Sequence, residues 1–248
     1  MPQMSKKGQW LLVFIGVLCL IAIFGPQITQ YDSYHDFADQ SVVMGLPHAW
    51  DIFSNVPFAI VGFWGLWVMR GRSSVEGSTT AYDMLKLFFY GLITTSFCSS
   101  FYHLNPDNAS VFLDRLGMTV AFAGILALAI AVCVSDRAGK MSSYLILFLG
   151  PVCLWVWQQT DNLLAWSVLQ AGGMLVIVGL ALLTNVNRKL RIALICAIGW
   201  YFLSKLCELG DHTIYEWTFG LMPGHSLKHI VAAFAGISLI SYLRKLVS

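Results

Sequence analysis

Stretches of about 20 residues with unbroken apolar character recur along the whole chain, and this recurrence restricts the fold more than any single motif does. They lie near 10–25, 49–69, 84–103, 111–134, 142–158, 163–184, 190–207 and 224–243. As a helix, each is long enough to cross the ~30 Å of hydrocarbon in a bilayer. In hydrocarbon every backbone polar group must be paired internally, which leaves helices or a closed barrel. No period-two alternation runs through these stretches, so a barrel is not supported. The expected fold class is all-α: a polytopic membrane protein with a seven-helix bundle over 48–248. Residues 1–47 supply one extra N-terminal transmembrane helix, either an anchor or a signal, and an acidic outer loop. Hydrophobic residues make up 57% of the chain and charged residues 11%, a balance that no soluble domain of 248 residues carries on its surface.

Basic residues orient the helices. Lys6 and Lys7 precede the first run, and Arg70 with Arg72, Arg137 with Lys140, Arg188, Lys189 and Arg191, and Arg244 with Lys245 follow every second one. The intervening connections, at 105–108, 158–162 and 210–224, carry no Lys or Arg, and neither does the acidic segment 27–48. The positive-inside rule then puts both termini in the cytoplasm and the acidic, histidine-bearing loops outside. Arg115, Lys205 and Lys228 fall near outer helix ends. Trp50, Trp155, Trp157, Trp166 and Trp217 are expected at the outer interface, with Trp10, Trp64 and Trp67 toward the inner one. The six cysteines sit singly with no CxxC pair, as small apolar core residues.

Polar residues collect at the outer helix ends. His225 and His229, four apart on a helix, present two imidazoles on one face. The Glu that follows the first histidine in zinc proteases is Ser226 here, so a base must come from elsewhere. Alone, such a pair also describes a polar patch in headgroup water. Ser99 precedes His103 by four residues, Pro106 stops that helix, and Asn108 or Ser110 is expected to cap the next, which carries Asp114. Ser99 has a local alternative, a bond back to the carbonyl four residues earlier. Lys228 lies about 100° around the helix from His229, which predicts a side chain that snorkels toward headgroups. Lys205 and Glu208 read as a surface i, i+3 pair.

The ordered set of SxxxH, an Asp eleven residues on, and HxxxH in the last helix resembles the alkaline ceramidase family. That family belongs to a membrane hydrolase superfamily that also holds adiponectin-type receptors and GPI-remodelling acyl hydrolases. Asp114-Arg115-Leu116-Gly117-Met118 is similar to the family's D-E-L-P-M run, with Arg for Glu and Gly for Pro. Asp51 to Asn55 is similar to its N-x-x-S-N segment, with Asp for the first Asn. The resemblance covers about 48–243.

The resemblance implies a zinc ion on His103, His225 and His229 with water in the open position. Asp114 would act as the base and then the acid, and Ser99 would bind the water or the oxyanion. The implied reaction is hydrolysis of a ceramide-like membrane lipid to a long-chain base and a fatty acid. No nucleic-acid partner is expected and no protein partner can be inferred. Asp36, Asp39 and Asp51 are candidates for a regulatory calcium, with a solvated acidic loop as the preferred reading. Asp211 and His212 are candidates for a hydrogen bond to a zinc-binding histidine, again with a solvated loop preferred. The expected location is a bacterial cell membrane with the site toward the outer side. Two rivals remain at this point: an acyl hydrolase of another lipid ester or amide, and a zinc-stabilised receptor or scaffold.

Overall fold

The computed structural model describes residues 6–245 and is almost wholly helical. Helix α1 (Lys6–Phe24) is followed by an extended segment with a two-residue hairpin, β1 (Val42–Val43) and β2 (Leu46–Pro47). Then come α2 (Ala49–Phe53), α3 (Val56–Val68), α4 (Thr79–Leu104), α5 (Asn108–Cys133) and α6 (Asp136–Thr160). The chain closes with α7 (Leu164–Leu183), α8 (Arg188–Leu209), α9 (Asp211–Trp217) and α10 (Gly224–Arg244).

Among the described residues, seven stretches are long and apolar enough to cross a membrane: Ala49–Val68, which joins α2 to α3, and helices α4, α5, α6, α7, α8 and α10. They match the expected positions closely. Helix α1 lies along α7, with Leu18 against Gly172, and most of its other large side chains are exposed. Its apolar stretch, Gly8–Phe24, is shorter than the other seven.

Helix ends follow local side-chain chemistry. The Ser78 side chain accepts from Ala81 N to start α4, and Ser135 accepts from Ala138 N to start α6. Helix α5 starts one residue earlier than expected: Asp107 is the cap, and Ser110 reciprocates by accepting from the Asp107 N–H. These bonds from Ser110 hold the Asp107 carboxyl below the usual carboxylate range.

Packing through the middle relies on small residues. A Cβ on Gly91 would overlap the Ala121 backbone, and one on Gly124 would fall 2.5 Å from Phe88 Cα. With lipid as apolar as the helices, close van der Waals approach of this kind is what drives their association. Helix α5 is the most enclosed of the seven, and α10 packs against α8 and α3. Trp157 and Trp166, expected at the interface, are instead buried, because Trp157 stacks on the Arg115 guanidinium at 4.3 Å and both join a second apolar cluster.

Candidate metal centre

The end of α4 and the start of α10 meet at one end of the bundle. His103, His225 and His229 are 0%, 4% and 3% exposed. Their ring centroids form a near-equilateral triangle, with separations of 4.9, 5.2 and 5.0 Å. One ligand nitrogen from each lies within 4.8 Å of the other two, and this is the metal-capable cluster among the described residues. Tetrahedral bonds of ~2.1 Å require nitrogens roughly 3.4 Å apart, so small side-chain shifts suffice to close the set. Both His103 nitrogens are buried without a hydrogen-bond partner. Such orphaned donors and acceptors are costly in a membrane interior, and coordination satisfies them. The residues therefore fit a metal.

Neighbouring groups aim the rings. Ser54 Oγ gives its proton to Asp51 O at 2.9 Å, so at 2.8 Å from His229 Nδ1 it accepts the ring N–H. That tautomer leaves the Nε2 lone pair free to face the other histidines. Ser226, between the two α10 histidines, donates to Asp51 Oδ1 at 2.6 Å, while Asp51 Oδ2 stands 3.9 Å from His103 Nδ1. Asp51 thus ties α2 to α10 and faces the third ligand. The Asp51-to-Asn55 segment was legible in the sequence as a family-like pattern, but its orienting role was not.

Acidic residues expected in solvent take up structural positions. Asp39 is 1% exposed and accepts from the backbone N–H groups of Ser41 and Asp51. Asp211, also buried, accepts from Ala38 N at 2.9 Å and His225 N at 2.8 Å. It therefore caps α10, whose preceding Pro223 provides no side-chain cap. Its bond goes to the His225 backbone, not to the ring. His212 is exposed, and its ring contacts Asp36 O. Asp36 is exposed and Asp39 accepts two backbone N–H groups, and among the described residues the three calcium candidates form no metal-capable group.

The segment 27–48 crosses this end as a strap. His35 hydrogen-bonds Tyr102 Oη and Asn108 Oδ1, Gln30 accepts from Arg115, and Leu163 N donates to Ile28 O. Phe37, 3% exposed, sits with its ring centroid 4.4 Å from that of His225 and 4.9 Å from that of His103. The strap seals the histidines from the aqueous face.

A cavity adjoins the histidines on the bundle side. Lying between α3, α4, α5, α8 and α10, it has Ser99, Asp114, Lys205, Lys228 and His229 at one end and Phe88, Leu92 and Ile125 deeper in the bundle. Ser99 Oγ lies 3.4 Å from His229 Nε2 and lines the same cavity as Asp114, so its hydroxyl faces the site. From Ser99 down to Phe88 is about 16 Å along α4 at 1.5 Å per residue.

Lys228 departs from expectation. Its Nζ is 2.8 Å from Glu208 Oε1 and 3.0 Å from His225 Nε2, and the side chain is only 15% exposed. Lys205 binds the other Glu208 oxygen at 2.5 Å, so the expected surface pair is one half of a partly enclosed cluster. Comparison with protein-family models gives no match, and comparison with curated proteins gives none either.

Proposed function

We propose that the protein is a zinc-dependent membrane amidase that cleaves a ceramide-like lipid to a long-chain base and a fatty acid. The observation that carries this reading is one cavity whose polar end is lined by His229, a member of the three-histidine cluster, and whose apolar lining runs about 16 Å toward the bundle centre. Such a cavity suits an amphiphile whose scissile bond lies at the junction of head and tail. The strap over the histidines favours a substrate that arrives from the bilayer.

His103, His225 and His229 would hold the zinc, which supplies carbonyl polarisation and a lowered pKa for water. Asp114, 6% exposed beside Ser99, is positioned to take a proton from water as its oxygen adds to the carbonyl carbon. Asp114 then delivers that proton to the nitrogen as the C–N bond breaks. Ser99 orients Asp114 and donates toward the reacting oxygens. Ser54 and Asp51 keep the ligand rings turned inward. The basic loops support cytoplasmic termini and a site toward the outer face of a bacterial cell membrane.

The test is elemental analysis of the detergent-purified chain, paired with fatty-acid release from a ceramide panel and from phospholipids. About one zinc per chain with ceramide turnover is expected. A folded, metal-free protein would overturn the zinc assignment, and turnover of phospholipid alone would overturn the amide substrate.

A further inference from the structure

Helix α8 brings Lys205, and helix α10 brings Lys228, to the polar end of the cavity, and Glu208 of α8 pairs with both. One carboxylate serves two ammonium groups: Glu208 Oε1 meets Lys228 at 2.8 Å and Oε2 meets Lys205 at 2.5 Å. No other ion pair between a carboxylate and either lysine forms among the described residues. This wall of the cavity therefore carries an excess positive charge. The opposite wall, from α4 and α5, carries Ser99 and Asp114.

An ion pair formed only to anchor a lysine at the membrane surface would turn the ammonium outward. Here it turns inward, 3.0 Å from Nε2 of a candidate metal ligand and on the lining of the same cavity as Ser99, Asp114 and His229. In a low-dielectric cavity, a fixed cation acts far more strongly on nearby negative charge than it does in water. Glu208 fixes the ammonium in place, and Lys205 offsets the charge of Glu208, so that of Lys228 is not cancelled.

We infer that Lys228 is the cation that receives the negative charge of the acyl head, on the carbonyl oxygen during cleavage and on the fatty carboxylate afterwards. This rests on the amidase reading. In that reaction the water oxygen bonds to the carbonyl carbon, the amide C–N bond breaks, one water proton passes through Asp114 to the departing nitrogen, and the second leaves the new carboxylic acid for the amine, giving a carboxylate and an alkylammonium. The carbonyl oxygen is negative only in transit, opposite the Asp114 wall, and the carboxylate product keeps that charge in the same position.

The test uses full-length, zinc-loaded protein in detergent, with two readouts. The first is ceramide turnover by wild type, Lys228→Met, Lys228→Arg and the double variant Lys228→Met/Glu208→Gln. Zinc content should be unchanged in all four. In Lys228→Met, kcat should fall by about 10²- to 10³-fold with KM within about twofold, and Lys228→Arg should recover part of the loss. If Lys228 served only to neutralise Glu208, the double variant would regain turnover, and that result overturns the proposal.

The second readout is equilibrium binding of palmitate, which involves no turnover. Lys228→Met should weaken it about tenfold or more, and unchanged palmitate affinity overturns the proposal. A wild type inert toward ceramide would remove the amidase reading, while the palmitate comparison would still decide whether Lys228 receives an acyl carboxylate.

Discussion

Around the histidines, α2, α4 and α10 are joined by carboxylates and hydroxyls, whereas through the middle of the bundle α4 and α5 meet backbone against backbone at Gly91 and Gly124. The two modes do different work. Glycine contacts set how far apart the helices stand, and they do so only if no side chain intervenes. Hydrogen bonds such as Ser54 to His229 and Ser226 to Asp51 set which way a side chain points, between helices already placed. In a bilayer no hydrophobic force draws the helices together, so both kinds of joint are needed, and each should fail in its own way.

The sharpest break of this contrast is His225→Ala, which should abolish both zinc binding and turnover while leaving the helical fold. The cap from Asp211 goes to the His225 backbone and survives the substitution. Zinc analysis with circular dichroism checks it, and loss of helix in the variant would mean that the two regions are not separable. Next in size, Asp114→Asn should keep zinc and lose about 10³-fold in kcat, since an amide cannot carry the proton. Wild-type turnover in that variant would remove Asp114 from the chemistry.

Gly124→Val tests the other region. It should cost about 3 kcal/mol of stability through overlap with Phe88, seen as a lowered Tm, with turnover per bound zinc unchanged in the folded fraction. Altered turnover per zinc would show that helix spacing reaches the site. The smallest effect is expected of Ser54→Ala, a 10- to 100-fold loss in zinc affinity in a chelator competition, because His229 then lacks the acceptor that fixes its tautomer. Unchanged affinity would mean that packing alone orients the ring.

The seven spans were legible because an apolar run of bilayer length is a local property, and His225 with His229 was legible because helical spacing is local too. What escaped the sequence depends on distant partners. Lys228 was expected to point to headgroups because periodicity gives its angle on α10, while its direction is set by Glu208, twenty residues away on α8. Asp39 and Asp211 looked like solvated loop acids because the N–H groups they accept from, at Asp51, Ala38 and His225, are not neighbours in the chain. The strap had no periodicity to read, and Trp157 appears interfacial until Arg115 is seen stacked on it.

The bonds between Asp211 and Ala38 and between Ser226 and Asp51 also impose an order of events. They join residues 173 and 175 positions apart, so the first partner leaves the ribosome long before the second. At 5–20 residues per second the interval is roughly 9–35 s, during which Phe37, Ala38 and Asp51 have nothing of α9 or α10 to close upon. A metal held by all three histidines would therefore be captured among the last acts of biogenesis, after the final helix is in place. A nascent chain stalled short of α10 is a helical protein whose strap and α2 lack their partners at His225 and Ser226, a state that quality-control proteases could tell from the finished one.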